Sequence, residues 1–527
     1  MNAAEMLTTT ATSYPDQVAW IWEPEPGSTS TRTYGESNRR ADALALGLRD
    51  LGVGRGDRVA LFMQNRPEAM EAFFAVLKVG AAAVPLNPRF TAEEIDYHVG
   101  DAGARLLVIG EEVADVVAKV RDRLGSVEHV VCVGARSVDE DGMVDFDALV
   151  AGHEGQRLDA VDVDDDKLAW LAYTSGTTGR AKGAMLTHGN LIACALGALA
   201  DTMRLEVGDV ALHAASLTHG SGYNALAYTM KGCAQVLLSP IGFEVEKLLE
   251  FVARYRVNAL FTVPTMIKMV IDHPATPGAD LSSLRWVMYG GAPMYVEDLR
   301  KALDLLGPVF VQIYGQTESP MTGTLLRPEE HRLDEPYAGR LGSCGRARSG
   351  IGVRIVGEDD RPLPPGAVGE ICLRGATVMK GYWNRPDATA ETLRGGWLHT
   401  GDIGTMDDHG YVYILDRTRD MVISGGLNIY PREVEEVLLT HPAVSEVCVF
   451  GVPDDKWGEA LKAHVVLVAG RSATAAEIIA FAGERLAGYK KPKTVDFVDE
   501  IPKTTYGKPD KKAVRAPYWA GQTRMVR

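Results

Sequence analysis

Cysteine is scarce in this sequence, and no cysteine stands where a metal or redox site would need it. The six cysteines are far apart, without a C-x-x-C pair or a neighbouring histidine cluster: Cys132, Cys194, Cys233, Cys344, Cys372 and Cys448. This spacing argues against a disulfide framework and against a zinc site.

A long hydrophobic run is also missing. The longest apolar stretch, at residues 72–86, is interrupted by Lys78, Gly80 and Pro85. It is therefore too broken to predict a transmembrane helix. Residues 1–6 lack the basic segment and apolar core of a secretory signal. We expect a cytoplasmic protein that does not span a membrane.

Positive charge is in deficit. Lys and Arg number 55 against 70 Asp and Glu, which gives a formal net charge of −15. A chain of this sign repels a phosphate backbone, so nucleic acid is not an expected partner. The 527 residues, 46% hydrophobic and 24% charged, instead have the balance of a globular protein with large cores. That length corresponds to roughly three domains, or to one large domain and a small one.

The pattern of hydrophobic residues has no solenoid repeat or low-complexity tract, and it alternates between strand-like and helix-like segments. The alternation predicts strands at 59–62, 83–86, 106–109, 234–238, 259–263 and 286–289, and helices at 67–77, 92–99 and 245–255. Thr91 and Glu94 form a predicted capping box at the start of one helix. Parallel sheets covered by helices are expected over about the first 400 residues.

The pattern changes in the last third of the chain. After about residue 350, strands broken by Gly and Pro predict a β-rich subdomain. Past residue 416 a smaller α/β unit of about 100 residues is predicted, the size of an independent domain. Its predicted helices are at 431–440 and 475–486, and its predicted strands are at 446–450, 463–468 and 494–498.

The richest local signal is the loop Leu171-Ala-Tyr-Thr-Ser-Gly-Thr-Thr-Gly-Arg-Ala-Lys-Gly183. Its glycines permit tight turns that present backbone N–H groups, and its hydroxyls and lysine add donors, so the loop suits a polyphosphate. It is not a Walker A loop, because the residue five positions after Gly176 is Ala181. A flexible surface loop would have a similar composition, so the loop alone leaves both interpretations open.

Further strings decide between them, because from this loop onward the sequence resembles the adenylate-forming superfamily. That superfamily contains acyl-CoA synthetases, firefly luciferase and the adenylation domains of peptide synthetases. The resemblance extends over essentially the whole chain. The strings, in the family's order, are Tyr289-Gly-Gly-Ala-Pro293, Tyr314-Gly-Gln-Thr-Glu318, Gly381-Tyr-Trp-Asn-Arg-Pro386, Trp397-Leu-His-Thr-Gly-Asp402, Asp416-Arg-Thr-Arg-Asp-Met-Val-Ile-Ser-Gly-Gly426 and Tyr506-Gly-Lys508.

The resemblance implies an α/β fold with a large N-terminal adenylation domain at 1–415, including a β-rich subdomain at about 340–415. A hinge at 416–420 would join it to a small, mobile α/β domain at 421–527. The implied reaction is attack of a carboxylate on the α-phosphate of ATP, giving an acyl-adenylate and pyrophosphate. A thiol, that of coenzyme A, would then attack the activated carbonyl. ATP, Mg²⁺ and coenzyme A are the cofactors and co-substrates that follow.

The resemblance also assigns nucleotide-binding residues. Lys182 and the loop before it would hold the phosphates, and Glu318 would ligate Mg²⁺, which prefers carboxylate and phosphate oxygens. Asp402 would accept the ribose hydroxyls with Arg417 as a donor beside it, although an exposed salt bridge is the alternative for that pair. The full predicted nucleotide set is Thr174, Ser175, Gly176, Thr177, Thr178, Gly179, Gly290, Gly291, Ala292, Tyr314, Gly315, Gln316, Thr317, Asp402 and Arg417.

The C-terminal residues would serve both half-reactions. Lys508 is the implied catalytic lysine that bridges the acid and the α-phosphate, and Arg419 matches the hinge about which the small domain rotates. Gly425 and Gly426 would line the path of the CoA arm, although a simple turn would also need them. Trp457 is expected near the CoA adenine, with core packing as the alternative.

The acid pocket is expected around His219, Tyr223, Tyr289 and Met321. Thr218 stands before His219 where the family commonly has an aromatic residue, so the acid cannot be inferred from relatives. Two other departures, Ala181 and Pro509, remove no functional group. The expected reaction is therefore that of a carboxylic acid:CoA ligase acting on a fatty or other acid.

Other readings remain open. An amide ligase, which joins the acid to an amine, is the main alternative. A luciferase-like oxygenase and a peptide-synthetase module are less expected. A non-catalytic nucleotide-binding protein would lose Lys508, Glu318 or Asp402, and all three are present. The sequence leaves the oligomeric state open, with a homodimer as one option.

Overall fold

The computed structural model of the chain describes residues 1–25, 27–134, 142–174, 180–239, 241–292, 294–334, 337–417, 420–424, 427–504 and 509–520. Several predicted site residues lie outside these ranges: Ser175, Gly176, Thr177, Thr178, Gly179, Arg419, Gly425, Gly426 and Lys508.

The strands are β1 (Val18–Glu25), β2 (Ser28–Thr33), β3 (Arg58–Phe62), β4 (Ala82–Pro85), β5 (Leu106–Gly110), β6 (His129–Val133), β7 (Val144–Asp145), β8 (Leu168–Tyr173), β9 (Gly183–Thr187), β10 (Val210–His213), β11 (Ala234–Leu237), β12 (Ala259–Thr262), β13 (Trp286–Gly290), β14 (Phe310–Gln316), β15 (Ser319–Leu326), β16 (Arg346–Ala347), β17 (Ile351–Val356), β18 (Gly369–Gly375), β19 (Leu398–Met406), β20 (Val412–Arg417), β21 (Val422–Ser424), β22 (Leu427–Ile429), β23 (Val444–Asp454), β24 (Gly458–Leu467) and β25 (Thr494–Phe497).

The α-helices are α1 (Glu5–Ser13), α2 (Tyr34–Asp50), α3 (Pro67–Lys78), α4 (Ala92–Ala102), α5 (Ala114–Ala118), α6 (Phe146–Gly152), α7 (His188–Gly197), α8 (Gly220–Lys231), α9 (Val245–Tyr255), α10 (Pro264–Asp272), α11 (Val296–Leu306), α12 (Pro386–Thr392), α13 (Pro431–Leu439), α14 (Ala475–Arg485) and α15 (Lys511–Arg515).

A seven-stranded sheet, in the order β7-β6-β5-β3-β4-β8-β9, occupies the first part of the chain. Its strands are parallel except for the edge strand β9, which forms an antiparallel hairpin with β8. Helix α4 begins at the predicted capping box. The Thr91 hydroxyl accepts the N–H of Glu94, and the Glu94 carboxylate accepts the N–H of Thr91 at 2.8 Å. The capping prediction is confirmed.

A nine-stranded sheet follows, in the order β16-β15-β14-β13-β12-β10-β11-β1-β2. The six strands from β14 to β1 are parallel, and the strands at both edges are antiparallel. A single cluster of buried apolar side chains joins this sheet to the first one. In that cluster the Trp170 ring of β8 contacts Tyr223 of α8, with ring centroids 4.5 Å apart. Aromatic packing of this kind holds the two sheets together.

A four-stranded antiparallel sheet, β17-β18-β19-β20, forms the predicted β-rich region. Its core includes Ile355 and Leu398, and Tyr314 from β14 is buried in the same cluster. The nine-stranded sheet and the β-rich sheet therefore meet at the end of β14. This junction is where the candidate site lies.

The last sheet has the order β22-β21-β24-β23, with β25 parallel to β24. Helices α13 and α14 cover it and contribute Val434, Leu438 and Ile478 to a separate apolar core. The predicted strands at 446–450 and 463–468 are parts of a longer hairpin, β23–β24. Across the described ranges, we find no helix with the length and apolar character needed to cross a membrane. The predicted fold class, α/β with a β-rich region and a C-terminal α/β domain, is confirmed.

Candidate active site

Asp402 is the centre of a buried polar group at the end of β14. The carboxylate, whose residue is 4% exposed, accepts the Tyr314 hydroxyl at 2.7 Å and the Gln316 side-chain amide at 2.8 Å on Oδ2. Arg417 pairs with its Oδ1 at 3.1 Å, because Asp402 and Arg417 lie opposite each other on β19 and β20. The pair thus joins a buried carboxylate to a partly exposed guanidinium, and its role in binding the ribose stays a prediction.

The electrostatics of this group follow from its burial. The charge of Asp402 raises the pKa of Arg417 above its ordinary value. Burial raises the pKa of Tyr314 well above its ordinary value, and Asp402 adds to that shift. Tyr314 therefore stays a neutral donor. A carboxylate has about four acceptor positions, so three donors leave one position on Oδ1 for a ligand hydroxyl.

Glu318 lies in the two-residue turn between β14 and β15, where Gln316 pairs with Ser319. Its Oε1 accepts the Tyr382 hydroxyl at 2.6 Å, and its backbone oxygen accepts the N–H of Met379 at 2.8 Å. These contacts hold the carboxylate at the sheet edge. Among the described residues Tyr382 is the side chain that bonds it, which leaves room for a hard cation on this group.

Lys182 reaches the same place from the other sheet. Its backbone oxygen accepts the N–H of Thr174 at 3.0 Å, which closes the base of the predicted phosphate loop. Its ammonium lies 4.7 Å from the centroid of the Tyr382 ring. Tyr382 is thereby in contact with Lys182 through its face and with Glu318 through its hydroxyl. A cation and a carboxylate from two sheets converge on one tyrosine.

Tyr382 was not among the predicted site residues, although it belongs to the quoted string Gly381-Tyr-Trp-Asn-Arg-Pro386. Its placement comes from pairing with β9. Met185 donates to the Gly381 oxygen at 2.9 Å, and Trp383 donates to the Gly183 oxygen at 2.8 Å. Sequence spacing does not predict this short strand-like contact. The available signal for Tyr382 was that it belongs to one of the strings that resemble the family.

The predicted glycines differ from one another in the space around them. A Cβ on Gly290 would lie 2.4 Å from the Ile313 oxygen, and one on Gly315 would lie 2.6 Å from the Met321 N. These two glycines are required by packing within the protein. Gly291 has a positive φ of 76° and open space around it, as expected of backbone beside a ligand. Ala292 and Thr317 follow at the same sheet edge.

A narrow cavity of about 10 Å³ lies on the inner face of the nine-stranded sheet. It is lined by residues that include Cys194, Tyr223, Asn224, Met288, Met321 and Arg348. Tyr223 and Met321 were predicted for the acid pocket, and the structure brings them together there. The Asn224 amide lies 3.6 Å from the Met321 sulfur.

Tyr289 does not line this cavity. Successive side chains on a strand point to opposite faces, and on β13 it is Met288 that faces the cavity. Tyr289 is buried on the other face, where its hydroxyl lies 2.9 Å from His331 Nε2 and donates to Gln312 at 3.2 Å. The placement of Tyr289 in the pocket is therefore wrong.

His219 and Trp457 occupy more peripheral positions. His219 precedes α8, and its Nδ1 lies 2.8 Å from the Thr218 hydroxyl. The divergent Thr218 thus orients His219 directly. Trp457 is 42% exposed at the tip of the β23–β24 hairpin, with the Lys456 ammonium 4.8 Å from its ring centroid. Core packing, the alternative considered for Trp457, is wrong.

Comparison with known proteins agrees with this geometry. Residues 7–383 match the family described as AMP-binding enzyme, and residues 433–508 match the AMP-binding enzyme C-terminal domain. The chain belongs to the AMP-binding enzyme family. Its predicted membership of the adenylate-forming superfamily is confirmed, as is its predicted class, an AMP-forming enzyme of the acyl-CoA synthetase kind.

Three similar proteins illustrate the range of the family. A feruloyl-CoA synthase from Amycolatopsis sp is 42% identical over 485 residues, which cover 92% of this chain and 93% of that protein. The amide bond synthetase McbA from Marinactinospora thermotolerans is 31% identical, with a TM-score of 0.88 over 98% of this chain and 100% of that one. ATP-bound MatB from Rhodopseudomonas palustris is 31% identical, with a TM-score of 0.87 over 98% and 99%.

Proposed function

We propose that the protein is an ATP-dependent carboxylic acid:CoA ligase. It forms an acyl-adenylate and pyrophosphate, then transfers the acyl group to the thiol of coenzyme A. The observation that carries the proposal is the convergence of Lys182, Tyr382 and Glu318 beside the Asp402 group. The feruloyl-CoA synthase relative supports a thioester product.

The nucleotide fits the donors and acceptors at this junction. The ribose hydroxyls meet Asp402 and Arg417, the adenine lies against Tyr314, and Lys182 faces the phosphates. Fixed cations and donors offset the repulsion between a carboxylate and a polyphosphate, which is the main barrier to the first step. Lys508 supplies the remaining charge between the acid and the α-phosphate.

Glu318 fits a magnesium ion, because Mg²⁺ is typically held by one or two carboxylates together with phosphate oxygens and water. When bound, Mg²⁺ neutralises negative charge on the phosphates. Tyr382 positions the Glu318 carboxylate through its hydroxyl. A cytoplasmic location is part of the proposal, because MgATP and coenzyme A are both available there.

Rotation of the small domain between the half-reactions is part of the proposal. Polar contacts link that domain to the large one. Tyr295 donates to Glu435 at 3.3 Å, and the N–H of Val296 donates to Glu436 at 3.3 Å. Within the small domain, Lys511 lies 2.9 Å from Glu435, and its ammonium also lies 3.9 Å from Asp416 of the proposed hinge. Polar interfaces of this kind suit domain motion better than apolar ones. Arg419 is the proposed hinge, and Gly425, Gly426 and Trp457 are the proposed contacts for CoA.

An amide ligase is the second candidate, because the amide bond synthetase McbA matches almost the whole chain. In that case an amine replaces the thiol after the same adenylation step. Both candidates share the nucleotide site, so the acceptor must be tested separately from adenylation.

The test has two stages. Acid-dependent exchange of labelled pyrophosphate into ATP, over a panel of carboxylic acids, measures adenylation without any acceptor. Active acids are then combined with CoA or with a panel of amines, and the products are identified by mass spectrometry. Thioester formation supports the ligase proposed here, amide formation alone supports the second candidate, and no exchange with any acid contradicts both.

A further inference from the structure

Arg348 is a buried cation with too few acceptors. The residue is 5% exposed, and its Nη1 donates to the Met321 oxygen at 2.7 Å. Its Nε and Nη2 are buried, and no hydrogen-bond partner for them occurs among the described residues. A guanidinium carries five N–H donors, and burying an unpaired charge is costly. An acceptor for this group is therefore expected.

The nearby groups do not supply one. Asp201, the acidic residue that acts on Arg348, already accepts the N–H of Ser349 at 2.7 Å and its hydroxyl at 2.9 Å. It also lies 3.7 Å from Arg327. Burial raises the pKa of Cys194 to about 11, so its thiol is neutral near pH 7. Arg348 keeps its charge because arginine titrates far above neutral pH, although burial lowers its pKa.

A second unpaired group faces the same cavity. Thr202 also lines it, and its hydroxyl is buried without a hydrogen-bond partner among the described residues. Thr202 ends the π-helical turn Ala198–Thr202 that follows α7. Such turns are rare and occur often at functional sites. A methyl group on Gly197 would lie 3.2 Å from Nη2 of Arg348, so this helix end leaves room for the guanidinium.

The cavity adjoins the nucleotide end through Met321. Met321 lines the cavity and packs against Gly315, whose Cβ would lie 2.6 Å from the Met321 N. Its backbone has a positive φ of 55°, which is uncommon for a residue with a side chain. Because the cavity has a volume of about 10 Å³, an acid whose reacting carboxyl group is near the phosphates would extend past Met321 toward Arg348 by moving the lining side chains apart.

We propose that Arg348 and Thr202 bind an oxygen-bearing group at the end of the acid remote from its reacting carboxyl, with a second carboxylate as the best fit. This inference rests on the proposed function and specifies its substrate class. A guanidinium binds a carboxylate through two parallel hydrogen bonds, and a threonine hydroxyl adds a third donor. The site then selects acids that carry an oxygen acceptor at the end remote from the reacting carboxyl, in addition to selecting them by length.

The test compares pairs of acids in pyrophosphate exchange, which requires no CoA. Straight-chain dicarboxylic acids of several lengths are each paired with the monocarboxylic acid of the same carbon number, and ω-hydroxy acids form a neutral arm. Aromatic acids are paired with and without an oxygen substituent opposite the reacting chain. We expect the oxygen-bearing member of at least one series to have kcat/KM at least about tenfold higher.

Arg348→Met keeps the bulk of the side chain and removes its charge. It should reduce the ratio of kcat/KM for the oxygen-bearing acid to kcat/KM for its methyl-ended partner to about one. Thr202→Val, which keeps the shape and removes the hydroxyl, should reduce it by a smaller factor. The control is Arg346→Met, because Arg346 is two residues away and pairs with Glu330 at 2.9 Å on the other side. Its ratio should equal that of the wild type. Thermal unfolding of each variant separates a lost preference from a lost fold.

Three outcomes are decisive. A preference for the dicarboxylic or hydroxy acids that disappears in Arg348→Met and is reduced by a smaller factor in Thr202→Val supports the proposal, and the arm that shows it identifies the group. A wild-type preference for the methyl-ended acids, or an equal ratio in wild type and Arg348→Met, overturns the proposal while leaving adenylation intact. Absence of exchange with every acid would instead contradict the proposed function.

Discussion

The nucleotide end and the acid cavity differ in how their polar groups are satisfied. Asp402 has three donors from two strands, β14 and β20, whereas Arg348 has one acceptor among the described residues. The Asp402 group holds its donors in place before any ligand arrives and keeps one acceptor position on Oδ1 for that ligand, as a preorganised electrostatic site should. The Arg348 group has two buried nitrogens without a partner among the described residues, beside a small cavity. The comparison suggests that the nucleotide end carries the chemistry common to every acid, and that the cavity selects among acids.

The largest expected effect tests the common chemistry. Lys508→Ala should lower acyl-adenylate formation at least about a hundredfold, by the same factor for every acid, because the charge between two anions is lost. Pyrophosphate exchange measures this step, and thioester formation from a supplied acyl-adenylate measures the other. Lys512→Ala, an exposed lysine of the same segment, is the control. Equal loss in both steps would contradict the assigned role.

Asp402→Asn should give the next largest effect. The new amide would face the Tyr314, Gln316 and Arg417 donors, so kcat/KM for ATP should fall about ten- to a hundredfold, as when a charged hydrogen-bonding partner is lost. Steady-state kinetics at saturating acid would show it. Asp408→Asn, an exposed residue of the β19–β20 turn, is the matched control. If the size of the loss depended on which acid is used, Asp402 would also affect acid selection, and the proposed separation between nucleotide binding and acid selection would be wrong.

Met288→Ala should change the acid end alone. Removing this cavity-lining side chain should favour longer or bulkier acids, shifting the kcat/KM ratio between two acids by about tenfold. KM for ATP should stay within twofold of the wild type, because Met288 lines the acid cavity and not the proposed nucleotide site. Met269→Ala, at a residue 44% exposed, is the control. An unchanged order of acids would show that the cavity is not the acid pocket.

Tyr382→Phe should have the smallest effect. The loss of one hydroxyl on Glu318 removes a hydrogen bond to a charged group, so activity should fall about tenfold at low Mg²⁺ and recover in part at high Mg²⁺. A magnesium titration of pyrophosphate exchange measures this shift. Tyr489→Phe, at an exposed tyrosine, should titrate as the wild type does. An unchanged titration in Tyr382→Phe would remove the link between Tyr382 and metal binding.

Several features of the site were predictable from short strings. Tyr314, Asp402 and Arg417 were assigned to one nucleotide site, and they do contact one another. The capping box at Thr91 was also predictable, as were two helices and three strands of the C-terminal domain, whereas β21, β22 and α15 were not predicted. All of these depend on local spacing or on strings that keep their chemistry wherever the chain places them.

Other features depended on which strand face meets which neighbour. Tyr289 and Met288 are adjacent in sequence, yet they lie on opposite faces of β13. Neither residue type nor periodicity distinguishes the two faces of a strand that is buried on both. Tyr382 joined the site through pairing with β9, a contact between residues that are far apart in the chain.

The family, the order of most elements and the grouping of Tyr314, Asp402 and Arg417 follow from the sequence, because periodicity and short motifs are local properties. The shape of the acid cavity and the unpaired guanidinium of Arg348 follow only from tertiary structure. They arise where a helix end, a sheet face and the segment after β16 meet, and each of these is set by packing across long sequence separations. Charge and burial at such a junction are properties of the assembled chain.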